Sequence, residues 1–76
     1  MTSSTEHVEQ RRALGCAIAS LRKRQHLSQE QLANIAGIDR SYMGRIERGE
    51  QSVSFDKILD ICTALSVSPA HLLRNI

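Results

Sequence analysis

Tryptophan is missing from this 76-residue chain, and Tyr42 and Phe55 are its only aromatic side chains. A β-sandwich packs its half-buried faces largely with aromatic and β-branched residues. The hydrophobic fraction of 41% comes almost wholly from Leu, Ile, Val and Ala, which favours helix packing and an all-α fold. Cysteine is scarce too: Cys16 and Cys62 are too few and too far apart for a disulfide framework or a zinc site, and no CxxC or HxxxH spacing accompanies them. Each sits among apolar neighbours on an expected helix, so both read as buried free thiols of a reducing cytoplasm. No apolar run approaches the ~20 residues that a membrane span requires, and the opening MTSSTEHVEQRR has no signal-peptide core. The expectation is a soluble cytoplasmic protein without membrane contact.

A chain this short closes one small core, so residues 1–76 are expected to form a single domain, with residues 1–6 open to fraying. A substrate-burying pocket would take volume from that core. His7, His26 and His71 have no nucleophile or carboxylate companion at motif spacing, and no glycine-rich phosphate loop is present. Catalysis, a resident metal or cofactor, and a small-molecule ligand are therefore not expected. The net charge of +2 is mild but uneven. Residues 11–48 hold eight basic side chains against three acidic ones, a net +5, whereas the rest of the chain holds two against five, a net −3. A basic half suits a surface that docks on phosphate, although a solvated face accounts for such a run as well.

Leu14, Ala17, Ile18 and Leu21 repeat at i, i+3, i+4, i+7 and define an amphipathic helix 1 from Val8 onward. Ser3 and Glu6 have capping-box spacing, which would start it near Ser4 or Thr5. Gly15 weakens this helix but suggests close approach of another backbone. Gln25 to Ser28 break the pattern, and Ser28 with Gln31 forms a second capping box that starts helix 2 at Gln29. Leu32, Ala33, Ile35 and Ala36 are its inward residues, and Gly37 falls where a helix end needs a left-handed residue. Asp39 is a suitable cap for helix 3, Arg40 to about Arg48, with Tyr42, Met43 and Ile46 inward and Arg40, Ser41, Gly44 and Arg45 on other faces. After a loop, Ser54 caps helix 4, whose stripe Phe55, Ile58, Leu59, Ile61, Cys62 and Leu65 reads as well buried. Ser68 followed by Pro69 opens a short helix 5.

Two short helices joined by a glycine-containing turn, with a basic outer face on the second, have the layout of a helix-turn-helix, an outline shared with purely structural helical hairpins. The stretch LSQEQLANIAGIDRSYMGRIERGE, Leu27 to Glu50, resembles the lambda-repressor-like Cro/repressor (Xre) family of helix-turn-helix domains. The resemblance extends through Leu14, Ile18, Leu21 and Arg22 upstream and through Ile58, Leu65, Val67, Ser68, Leu72 and Leu73 downstream, about residues 12–74. Met43 stands where the family pattern usually has a β-branched residue, a tolerable apolar exchange.

The resemblance implies a compact five-helix domain with helix 2 across a DNA backbone and helix 3 in the major groove. Position by position, it makes Gln29 a phosphate contact at the start of helix 2, and Arg40, Ser41 and Arg45 base readers. Arg48 falls where the family commonly places a phosphate-binding residue, and Ser52 and Ser54, in the loop beyond, can donate to phosphate as well, although capping accounts equally for Ser54. Tyr42 has two roles open to it, a ring over the core and a hydroxyl on phosphate, and phosphate contact is preferred. Gly44 either lets helix 3 approach the groove or has no part in DNA binding. Arg22 and Glu47 match a family pair that bridges helices 1 and 3 inside the fold.

Val67, Leu72, Leu73 and Ile76 offer more apolar surface than one small core has room for, which marks them as a dimer interface. A homodimer on a palindromic DNA operator follows, because a two-fold pair sets two recognition helices one DNA turn apart. Among regulators, the chain is similar to stand-alone controller proteins of restriction-modification systems and to small phage repressors. The rival reading is a protein-binding module such as an antitoxin.

Overall fold

The computed structural model describes residues 7–74 and 76. Those residues form five helices: α1 Val8–Arg24, α2 Gln29–Ala36, α3 Arg40–Glu47, α4 Phe55–Leu65 and α5 Pro69–Leu72. The all-α expectation holds, and no strand occurs among the described residues. The capping box of Ser3 and Glu6 lies outside them.

Short polar side chains start four of these helices. Ser28 Oγ accepts from the Gln31 N–H at 3.0 Å while Gln31 Oε1 accepts from the Ser28 N–H at 2.8 Å, a reciprocal pair that satisfies two otherwise orphaned donors. Asp39, Ser54 and Ser68 each accept from the backbone N–H three residues on, at the starts of α3, α4 and α5. At the end of α2, Gly37 adopts φ 71°, and the Ile38 N–H returns to the Ala33 carbonyl at 2.8 Å. A Cβ at Gly37 would meet nothing within 4 Å, so its backbone angle and not crowding calls for glycine. Only Ile38 and Asp39 then separate that glycine from α3, which fixes how the two helices cross.

The core takes Leu14 and Ile18 from α1, Leu32 and Ala33 from α2, Ile38 from the turn, Met43 and Ile46 from α3, Ile61, Cys62 and Leu65 from α4, and Leu72 from α5. α1 packs on α3, and α2 lies between α3 and α4. Gly15 permits the first contact: a Cβ there would stand 2.6 Å from the Ile46 carbonyl oxygen, with the Glu47 carbonyl beside it. The close backbone approach read from Gly15 is thus with the end of α3.

Three apolar assignments are corrected. Cys16 is exposed, because it follows Leu14 by two residues and so points about 200° round the helix from the buried stripe. Ile35 is 58% exposed, lying about 100° of helix turn from Ala36, at the edge of the face that α2 buries. Phe55, on the correct stripe of α4, is 62% exposed because it is the helix's first residue, and burial becomes complete only from Ile61 onward.

Candidate nucleic-acid interface

The first turn of α2 and the outer face of α3 enclose an open polar cleft of about 350 Å³, lined by Gln29, Arg40, Ser41, Gly44, Arg45 and Arg48. Met43 and Ile46, both fully buried, anchor the opposite face of α3, so its remaining positions are turned outward by helical phase. Three arginines and no acidic side chain line the cleft, and the N-terminus of α2 adds the positive end of a helix dipole. Five residues given phosphate or base roles on the strength of resemblance therefore share one cavity.

Glu47 ties this face to the rest of the fold from behind the cleft. Arg22 donates to it twice, from Nε to Oε2 at 2.8 Å and from Nη2 to Oε1 at 3.0 Å, and its Nη1 donates to the Leu27 carbonyl at 2.8 Å. Both side chains are nearly buried, at 11% and 5% exposure, so the pair ties the end of α1 to the end of α3, with each of the three Arg22 nitrogens donating. Gln29 Nε2 donates to the same carboxylate at 3.0 Å. The Gln29 amide is therefore oriented from within, and its other N–H remains for a ligand in the cleft.

A Cβ at Gly44 would lie 3.2 Å from Arg48 Nη1, the mobile end of that side chain, and in ordinary contact with Gln29 Oε1 at 3.5 Å, so packing alone does not demand glycine there. Arg48 Nε donates to Glu50 Oε2 at 3.0 Å, an exposed pair of little energetic weight. Arg45 Nε donates to Gln51 Oε1 at 3.3 Å, and its Cζ lies 5.8 Å from the centroid of the Tyr42 ring. The Tyr42 ring packs on the core, and its hydroxyl donates to the Ser52 carbonyl at 3.2 Å, outside the cleft. Neither Glu50 nor Gln51 was given a role from the sequence; their contacts emerge only from where the turn at Gly49 places them.

The charge count overstated this face. Arg22 is neutralised inside the fold, and Lys23 and Arg24 sit at the exposed end of α1, outside the cleft. Leu72, assigned to a dimer surface, is instead a core residue at 3% exposure, because the one-turn helix begun by Pro69 points it inward. Val67 and Leu73 are half-buried against the core, and Ile76 is 45% exposed. Leu73 and Ile76 help line a mainly apolar groove of about 230 Å³ with Val53 and Ile58, away from the arginine cleft. Among the described residues no group of three His, Cys, Asp or Glu is placed to hold a metal, and no helix is long and apolar enough to cross a membrane.

The family described as "Helix-turn-helix domain" matches residues 13–74. The chain belongs to the helix-turn-helix domain family. The match spans nearly the residues from which the Cro/repressor resemblance was read, and this is a family of DNA-binding transcriptional regulators and not, in general, of enzymes. The chain is 41% identical over 58 residues to control protein C.SmaI of Serratia marcescens, covering 76% of this chain and 69% of that protein. It is 46% identical over 48 residues to control protein C.BamHI of Bacillus amyloliquefaciens, covering 63% and 59%. The crystal structure of the restriction-modification controller protein C.AhdI from Aeromonas hydrophila superposes with a TM-score of 0.83 at 42% identity, covering 84% of this chain and 97% of that one. As a helix-turn-helix domain, the chain has α2 and α3 as its paired helices, and α3 carries the arginines.

Proposed function

We propose that this helix-turn-helix domain is a sequence-specific transcriptional regulator that binds a palindromic operator as a homodimer, with α3 in the major groove. The observation that carries the reading is the cleft in which Gln29, Arg40, Ser41, Arg45 and Arg48 converge on an arginine-rich surface. Gln29 and the N-terminus of α2 grip a phosphate and set the register, Arg48 adds charge, and Arg40, Ser41 and Arg45 face base edges. An arginine presents two donors that match guanine O6 and N7, so Arg40 and Arg45 dominate specificity. Ser52 lies outside the cleft and would reach the flanking backbone through its hydroxyl, while the single Tyr42 O–H is already given to the Ser52 carbonyl and steadies the loop.

A recognition helix of eight residues reads only a few base pairs. Specific binding then calls for two copies, and Val67, Leu73 and Ile76 provide apolar surface for the second. The likeness to control proteins of restriction-modification systems supports a controller-type role in the cytoplasm, set by protein concentration and operator arrangement.

Selection of bound duplexes from a random DNA pool tests the reading. The expected winner is a palindrome whose half-sites lie about ten base pairs apart. Absence of enrichment over unselected DNA would refute it.

A further inference from the structure

We propose that Gln51 is a positioning residue for DNA recognition, which holds the Arg45 guanidinium by its Nε so that the two terminal nitrogens face the groove as a fork. The proposal rests on the reading of Arg45 as a base contact. Three features of the loop after α3 support it.

Arg45 is clamped on two sides. Its Nε donates to Gln51 Oε1 at 3.3 Å, and its Cζ lies 5.8 Å from the Tyr42 ring centroid, within the range of cation–π attraction. Among the described residues neither terminal nitrogen has a hydrogen-bond partner, and the side chain lines the arginine cleft.

Gln51 is itself held in place relative to α3. The Glu50 N–H donates to the Arg45 carbonyl at 2.9 Å, and the Tyr42 hydroxyl donates to the Ser52 carbonyl at 3.2 Å, so backbone ties on both sides of Gln51 fix the loop against the helix. Gly49, at φ 75°, supplies the left-handed turn that sends the chain back along α3.

The chemistry of the anchor suits the task. With Nε occupied, a side-on approach through Nε and one terminal nitrogen is closed, and the end-on pair that fits guanine O6 and N7 remains. A free arginine samples many rotamers, and restricting them before DNA arrives lowers the ordering cost of binding. Arg48 has a comparable anchor in Glu50, but that is a carboxylate beside a polyanion. Gln51 offers the same acceptor without charge.

Affinities for the selected duplex, and for versions with each guanine of a half-site replaced, are to be measured for the full chain and for Arg45→Ala, Gln51→Ala, Gln51→Glu and the Arg45→Ala/Gln51→Ala double variant. Gln51→Ala is expected to lose about three- to tenfold of the discrimination at the guanine that Arg45→Ala stops reading. Its affinity for unrelated DNA and its salt dependence stay unchanged, and it adds nothing in the Arg45→Ala background. Gln51→Glu keeps an acceptor and so keeps the discrimination, while its added charge weakens binding to every sequence. Wild-type discrimination by Gln51→Ala, with Arg45→Ala impaired, overturns the positioning role and leaves Arg45 a reader. An additive loss in the double variant overturns it as well. Unchanged base preference in Arg45→Ala removes the underlying reading and this proposal with it.

Discussion

Arg45 and Gln29 line one cleft, and the roles proposed for them, base reader and phosphate contact, differ measurably. Arg45→Ala should weaken binding to the preferred base by about 1–3 kcal/mol and leave other sequences nearly unaffected. Gln29→Ala should weaken all sequences alike, by about 0.5–1.5 kcal/mol, because a phosphate contact carries no base information. Titrations against a panel of single-base variants separate the two, and equal losses on every sequence for Arg45→Ala would disqualify it as a reader. The cysteines differ just as plainly. Burial pushes the Cys62 thiol above its ordinary value of 9.0, whereas Cys16 is exposed. Alkylation of the folded protein should therefore modify Cys16 first, with Cys62 protected until unfolding. Stability should fall as pH rises past about 9, because the unfolded chain releases the Cys62 proton before the folded one does. Residue types at motif spacing made the cleft legible in the sequence, and the Arg22–Glu47 pair behind it as well, but the tie from Gln29 was not. Gln29 is 18 positions from Glu47, and only the fold brings them to 3.0 Å.

The helix boundaries were readable wherever a cap carries them. Ser28, Asp39, Ser54 and Ser68 announce starts because each side chain satisfies a backbone donor, and Gly37 announces a stop through its φ. The end of α4 has no such signal: Ser66 takes the left-handed conformation at φ 58°, where glycine would be the cheaper residue. Burial was harder to read than boundaries. Periodicity gives a face, but Phe55 shows that a helix end can overhang the core, and Cys16 that an apolar neighbourhood in sequence is not one in space. Gly15→Ala tests how closely α1 and α3 approach. Helix propensity alone favours alanine by about 1 kcal/mol, but the new Cβ would press on two backbone carbonyls that have no cheap way to move. A net loss of about 2 kcal/mol is expected in thermal or urea unfolding, and a gain would mean that the helices separate freely. The Arg22 and Glu47 pair fastens the same two helices. Arg22→Met or Glu47→Gln alone should cost about 3–5 kcal/mol, since each strands a buried polar partner, and the double variant should cost less than the sum.

At the scale of the whole molecule, the eleven buried apolar side chains found among the described residues, from all five helices and the turn at Ile38, hold α3 so that one face belongs to the core and the other to the cleft. The division of α3 follows from the alternation of Met43 and Ile46 with Arg40, Ser41 and Arg45, which is why the family and the fold were visible together in one stretch of sequence. The proposed dimer surface was less legible. Apolar residues near a chain end mark either a core plug or an interface, and Leu72 is the former. The central claim is that the cleft between α2 and α3 is where DNA binds. Its most direct test is to follow the backbone amide resonances of the folded protein by NMR as a selected duplex is added. The predicted shifts cluster at Ser28 to Gln31 and along Arg40 to Ser52, with α5 responding only through the proposed dimerisation. Shifts confined to α5 and the groove lined by Leu73 and Ile76, with α3 silent, would contradict the account.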